Sequence, residues 1–234
     1  MAIYLYCVLR ATPEPPPTLL GIDGAPVRGV DLGGLAAWVS EMASMTVVPS
    51  PQRAKEHDRV VRVALESETP LPARFGQVVA GEDELRAVLS ERRSTLESGL
   101  DRVAGAVEMT VRMLVPAPRR VPIDSPVVGP KGADSGRRYL ERVAAVQREE
   151  RNVLATAGIL RDRVSSAVGD LVRAQSFAGA VAGSSLATLS HLVPRERIEA
   201  YRRALQTLRQ QDPALTIMIS GPWAPYSFTE GIGT

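Results

Sequence analysis

The chain has 234 residues, 23% charged and 44% hydrophobic, with a formal net charge of +2 and a mean hydropathy near zero. That length suits one large domain or two of about 110 residues, and no run reaches the ~18 uninterrupted apolar residues of a membrane-crossing helix. The N-terminus lacks the basic flank and small-residue cleavage site of a signal peptide, and the single cysteine, Cys7, can form no internal disulfide; a cytoplasmic protein is expected. Residues 1–105 carry a net −3 and residues 106–234 a net +5. The cations of the second half alternate with acids, as between Arg137 and Arg151, which describes a solvated helix face laced with ion pairs rather than a nucleic-acid surface.

Residues 2–9, AIYLYCVL, are apolar or aromatic at both parities, as in a strand buried on both faces. Val27–Leu32 and Leu35–Glu41 read as strands on either side of Gly33-Gly34, a pair able to supply the positive φ values of a two-residue hairpin. Ser50 and Pro51 are an N-cap and first helical residue for a helix that ends near Pro70 and carries Ala54, His57, Val61, Ala64 and Leu65 on one stripe. LPARFGQVV, from Leu71, reads as another strand. Glu82–Ala104 reads as one helix with Leu85, Val88, Leu89, Leu96, Leu100 and Val103 inward.

Val107–Val115 alternates cleanly, with Val107, Met109, Val111, Met113 and Val115 on one face. The Pro-rich residues 116–133 have no period and read as a loop. From Ser135 to Arg173 a stripe of Tyr139, Val143, Val146, Val153, Ala157, Leu160, Val164, Ala167 and Leu171 repeats at threes and fours, interrupted by Glu150. It fits a helix laid across a sheet, the preferred choice, or a coiled-coil seam; Gly158 could mark a bend. Strands at Gln175–Val181 and Ser185–Val193 are separated by Gly183. A helix opened by Pro194 carries Ile198, Tyr201, Ala204, Leu205 and Leu208, and Leu215–Ser220 is a final strand. The expected architecture is α+β in two domains: a mixed sheet with helices over residues 1–105, and a ferredoxin-like β-α-β-β-α-β domain over residues 106–234.

Chemistry is sparse. Two histidines and one cysteine stand apart, with no CxxC, HExxH, GxSxG or phosphate loop, so no catalytic, metal or cofactor site is expected and the isolated chain should be a monomer. His57-Asp58 is the best acid–base candidate, yet His57 shares a stripe with Ala54 and Val61; a structural histidine hydrogen-bonded to the sheet edge or loop beneath it is favoured. His191 shares parity with Ala187 and Leu189 and belongs to the core or a sheet face. Arg74 could bind an anion, but an ion pair within the fold is the preferred role. The chain has ten aromatic residues, and Trp223, Tyr226 and Phe228 crowd into GPWAPYSF, held extended by Pro222 and Pro225. Trp223 is expected to pack beside the last strand and the helix bearing Tyr201; Tyr226 and Phe228 are the candidates for contact with a partner.

The ending ISGPWAPYSF closely resembles the C-terminal signature of the gas vesicle F/L family, with Ala224 in place of a common proline. IYLYCV at Ile3–Val8, the His57-Asp58 helix, LPARFG at Leu71–Gly76, VEMTVRM at Val107–Met113, RYLER at Arg138–Arg142 and SHLVPRERIEAYRRAL at Ser190–Leu205 extend the likeness over essentially the whole chain. The resemblance implies two α+β domains, the second a modified ferredoxin-like fold. It also implies a minor, non-enzymatic protein that contacts the small hydrophobic gas vesicle shell subunit, keeps it from aggregating during nucleation, and has other accessory gas vesicle proteins as further partners. A protein-binding adaptor without a gas vesicle role is the alternative, and an enzyme using His57 or Arg74 a third.

Overall fold

The computed structural model describes residues 1–10, 14–115, 134–179 and 186–229. The Pro-rich stretch 116–133, the turn at Gly183 and the side chains of Tyr139 and Val146 lie outside the described residues. The fold is mixed α+β, with two antiparallel sheets and five helices among the described residues. The chain divides into two compact units: residues 1–109, 192–198 and 221–234, and residues 110–191 and 199–220. The first therefore gathers the C-terminal segment with the N-terminal hundred residues.

In the first unit, β1 (Ala2–Leu9) is buried along its whole length, and both of its edges are occupied. β3 (Ala36–Met42) pairs antiparallel with one edge, and β4 (Leu71–Pro72) and β5 (Val78–Val79) pair with the other. β2 (Arg28–Asp31) adds to β3 through the expected hairpin: Leu32 N–H donates to the Leu35 carbonyl at 2.8 Å, and Gly33 and Gly34 take φ of 70° and 92°, a left-handed pair that side-chain-bearing residues resist. The β1–β3 register shifts between Leu5 and Cys7. This bulge changes the parity of the strand, so that Tyr4, Tyr6, Cys7 and Leu9 all join one core cluster.

Helix α1 (Pro51–Ser67) begins as expected, with Ser50 Oγ accepting from the Arg53 N–H, and buries His57, Val60, Val61, Ala64 and Leu65. LPARFGQVV is two short strand pieces around a turn rather than one strand. The single helix expected over Glu82–Ala104 is two, α2 (Glu82–Glu91) and α3 (Arg93–Val103), broken at Arg92 with φ −98° and ψ 11°. At the break the Arg93 guanidinium reaches the hairpin carbonyls of Leu32, at 2.8 Å, and Gly33. Leu85, Leu89, Leu96, Leu100 and Val103 are buried as their spacing requires.

From residue 106 onward come β6 (Ala106–Leu114), α4 (Asp134–Val168), β7 (Ala174–Ala178), β8 (Leu186–Pro194), α5 (Ile198–Gln211) and β9 (Ile217–Trp223), with the sheet ordered β7-β8-β6-β9. Helix α4 passes Gly158 without a break and buries Ala157, Leu160, Val164 and Val168. α5 buries Tyr201 and Leu205, and β9 continues through Pro222 to Trp223, three residues beyond the expected end.

Candidate functional site

The polar chemistry of the first unit gathers around His57. Tyr4 and Tyr6 project from β1, brought to the same face as Cys7 by the bulge; Phe75 comes from the turn after β4, and Tyr226 from the C-terminal segment. Their ring centroids lie 5.7 Å (Tyr4), 5.6 Å (Tyr6), 5.9 Å (Phe75) and 6.3 Å (Tyr226) from that of His57. His57 is 3% exposed, and His57 Nδ1 lies 2.9 Å from Tyr4 Oη.

Gly76 N–H donates to Tyr4 Oη at 3.0 Å, and the same oxygen shares a hydrogen bond with His57 Nδ1. His57 Nε2 is buried on the side of the ring away from Tyr4. Burial holds the His57 pKa down at about 4, against the opposing pull of the Ala73 backbone and the Asp58 carboxylate. Burial pushes the Tyr4, Tyr6 and Tyr226 hydroxyls and the Cys7 thiol well above their usual ranges. Tyr6 closes a second chain: Ile22 N–H donates to Tyr6 Oη, which donates to Ser40 Oγ at 3.1 Å, and Ser40 donates to the Pro26 carbonyl at 2.9 Å. Near neutral pH these groups are uncharged and hydrogen-bonded to one another, a state suited to holding structure rather than to moving protons.

The C-terminal segment covers this cluster. At Gly221, with φ +121°, a Cβ would lie 2.7 Å from the Glu108 carbonyl oxygen and 2.8 Å from Met109 Sδ, so only glycine lets β9 pass β6 here. Trp223 receives the Arg62 guanidinium of α1 at 5.3 Å from its ring centroid. Ala224 and Pro225 are buried, and Ala224 belongs to the same core cluster as Tyr4 and Tyr6. Ser227 holds the buried Glu108 carboxylate, and Arg102 donates to the Phe228 carbonyl at 2.9 Å.

Of the residues singled out in the sequence, His57 lies at the centre of the cluster and shares a hydrogen bond with Tyr4. Trp223, expected beside the last strand and the helix bearing Tyr201, is the last residue of β9 and carries the Arg62 guanidinium of α1 over its ring. Phe228 is buried and Tyr226 half-buried against His57, so both spend most of their ring surface within the fold. Arg74 is exposed and makes no ion pair among the described residues; the chain leaves the sheet edge after Ala73, whose N–H bonds the Tyr6 carbonyl, and carries Arg74 outward. His191, in the second unit, repeats the His57 pattern, with Nδ1 2.8 Å from Tyr201 Oη, Nε2 unpaired and burial lowering its pKa to about 4. Sequence reasoning missed Glu108 as the anchor of the tail. Its only signal was a carboxylate on a strand face whose neighbours, Thr110 and Arg112, are also polar.

Two hollows open on the first unit. One, of about 310 Å³, is lined by Ser94, Thr95, Ser98, Gly99 and Arg102; the other by Leu32, Leu35, Arg86, Leu89, Ser90 and Arg93. Neither contains His57 or Arg74. Among the described residues no group of three His, Cys, Asp or Glu side chains could hold a metal ion, and no helix is long and apolar enough to cross a membrane.

The sequence matches the family described as "Gas vesicle synthesis protein GvpL/GvpF" over residues 2–230. It is 30% identical to gas vesicle protein F of Streptomyces sp. (strain CB03234), covering 98% of this chain and all of that one. It is 29% identical to gas vesicle protein L2 of Halobacterium salinarum, covering 99% and 92%. Its fold is similar to the crystal structure of gas vesicle protein GvpF from Anabaena sp. PCC7120, with a TM-score of 0.77 at 20% identity over 98% of this chain and 96% of that one. The chain therefore belongs to the gas vesicle synthesis protein GvpL/GvpF family.

Proposed function

We propose that this protein is a non-enzymatic accessory factor of gas vesicle assembly, which binds the small hydrophobic shell subunit and keeps it from aggregating while a nucleus forms. It works in the cytoplasm, as a monomer when isolated and without a cofactor; other accessory gas vesicle proteins are further partners. The observation that carries this proposal is the closure of the aromatic cluster. His57, the best acid–base candidate, is enclosed by four rings, hydrogen-bonded to Tyr4 and neutral at pH 7. The GPWAPYSF segment thus serves as a clasp, and the work falls to the surface of the molecule.

Family membership over residues 2–230 supports the gas vesicle role. Exposed apolar side chains on the described surface, among them Val48, Ile159 and Met218, support binding to an apolar partner, since a subunit that polymerises through apolar surface needs cover until its neighbours arrive. Tyr226 and Phe228 contribute by closing the clasp. The β-α-β-β-α-β order from β6 to β9 and the strand order β7-β8-β6-β9 support a ferredoxin-like module in the second half.

The test is direct binding of the purified chain to the shell subunit. Saturable binding by wild type, retained per folded molecule by His57→Ala, is expected. Absence of binding would overturn the proposal.

A further inference from the structure

One side of the second sheet leaves apolar side chains in the open. In β6, Val111 and Met113 are buried, while Arg112 and Leu114 on the opposite side are exposed. α5 covers the buried side, through Tyr201 bonded to His191 of β8. The register of the neighbouring strands follows from three contacts. Leu114 N–H donates to the Thr216 carbonyl at 2.9 Å, and a Cβ on Gly221 would come within 3.3 Å of Met109 Cα, so antiparallel β9 sets Met218 across from Arg112. Arg195 N–H donates to the Gly105 carbonyl at 3.0 Å; antiparallel pairing of the neighbours β6 and β8 carried regularly from that bond sets Leu186 across from Leu114.

Leu114, Leu186 and Met218 are 46%, 44% and 57% exposed. Opposed residues lie about 5 Å apart and diagonal ones about 7–8 Å, so the three form one contiguous patch, not scattered surface residues. Arg112 stands within it, exposed, with no hydrogen bond or ion pair to any described residue.

We propose that this side of the second sheet is the docking surface for the shell subunit, and that it takes an apolar segment whose carboxylate meets Arg112. The proposal rests on the shell-subunit function above and gives it a place. Charge selects the occupant. A second copy docking here through a two-fold axis would bring Arg112 toward its own equivalent, like charge against like, whereas an apolar segment carrying one acid covers the leucines and methionine and neutralises the guanidinium.

The test titrates fluorescently labelled shell subunit, dispersed in mild detergent, with the full-length chain and its variants. Leu114→Ser/Met218→Ser should weaken binding about tenfold or more, and Arg112→Gln about fivefold with a shallower salt dependence. Arg112→Lys, which keeps the charge, should stay within about twofold of wild type. All three substituted positions are exposed, and unchanged thermal unfolding would verify that each variant is folded. Wild-type affinity in both the double variant and Arg112→Gln would overturn this surface and leave the function standing; a wild type that does not bind would overturn both. A wild-type dimer in sedimentation that the double variant abolishes would make a second copy the occupant, and would also overturn the proposal.

Discussion

Glu108 and Ser227, 119 positions apart, are joined by two hydrogen bonds: the Ser227 N–H donates to Glu108 Oε2 at 2.8 Å and the Ser227 hydroxyl to Oε1 at 2.7 Å. Glu108 is buried, and a buried carboxylate is tolerated only where donors replace its water. The same bonds hold the tail over the His57 cluster, so one pair satisfies the acid and closes the clasp.

Removing the Ser227 hydroxyl should leave Glu108 Oε1 short of a donor. Ser227→Ala is expected to lose about 1–3 kcal/mol of stability, read from urea unfolding. Glu108→Gln should lose a similar amount, because its amide must either surrender an acceptor or turn a donor toward a donor. Wild-type midpoints for both would mean the pair does not hold the tail.

Two glycines should respond oppositely to alanine. At Gly221 the positive φ and the contacts with Glu108 and Met109 predict a loss of at least about 1–3 kcal/mol. At Gly158, inside α4 with nothing near its Cβ position, alanine should gain about 0.5–1 kcal/mol. Thermal unfolding of the two single variants checks the pair.

Stability should fall in mild acid. The folded pKa values of His57 and His191, about 4, lie below the usual 6.5, so the unfolded chain binds more protons between those values. The contribution of each is complete above pH 6.5 and is lost as the pH drops toward 4, by about 3 kcal/mol per histidine. Unfolding measured from pH 7 to 4 should show the decline, and His57→Gln should shallow it. A flat profile would contradict the burial of both rings.

The tail aromatics should differ in cost. Phe228 is buried and its truncation to alanine should remove about 3–5 kcal/mol. Trp223 is half-exposed, and losing its contact with Arg62 should cost less, about 0.5–2 kcal/mol for the cation–π part. Chemical denaturation of the two alanine variants gives the order, and a more stable Phe228→Ala would reverse the assignment.

Much of the fold was legible where one periodicity acts alone. β1 reads as doubly buried because every residue from Ala2 to Leu9 is apolar or aromatic, and Ser50-Pro51 marks a helix start by local chemistry. The break at Arg92 was not legible, because the leucine stripe continues across it and the hairpin carbonyls that meet Arg93 are about sixty residues earlier. The site was half legible. His57 stood out by type and stripe, and the tail by its aromatic density. What joins them is the bulge near Tyr6 and the Glu108–Ser227 pair, both long-range relationships with no local pattern.

Shielding of the shell subunit by the surface of this protein, as proposed, is open to direct measurement. The most direct test is light scattering of shell subunit diluted out of detergent, with and without an equimolar amount of this protein. Scattering should be suppressed by wild type and equally by folded His57→Ala. Aggregation that proceeds at the same rate with wild type present would contradict the account.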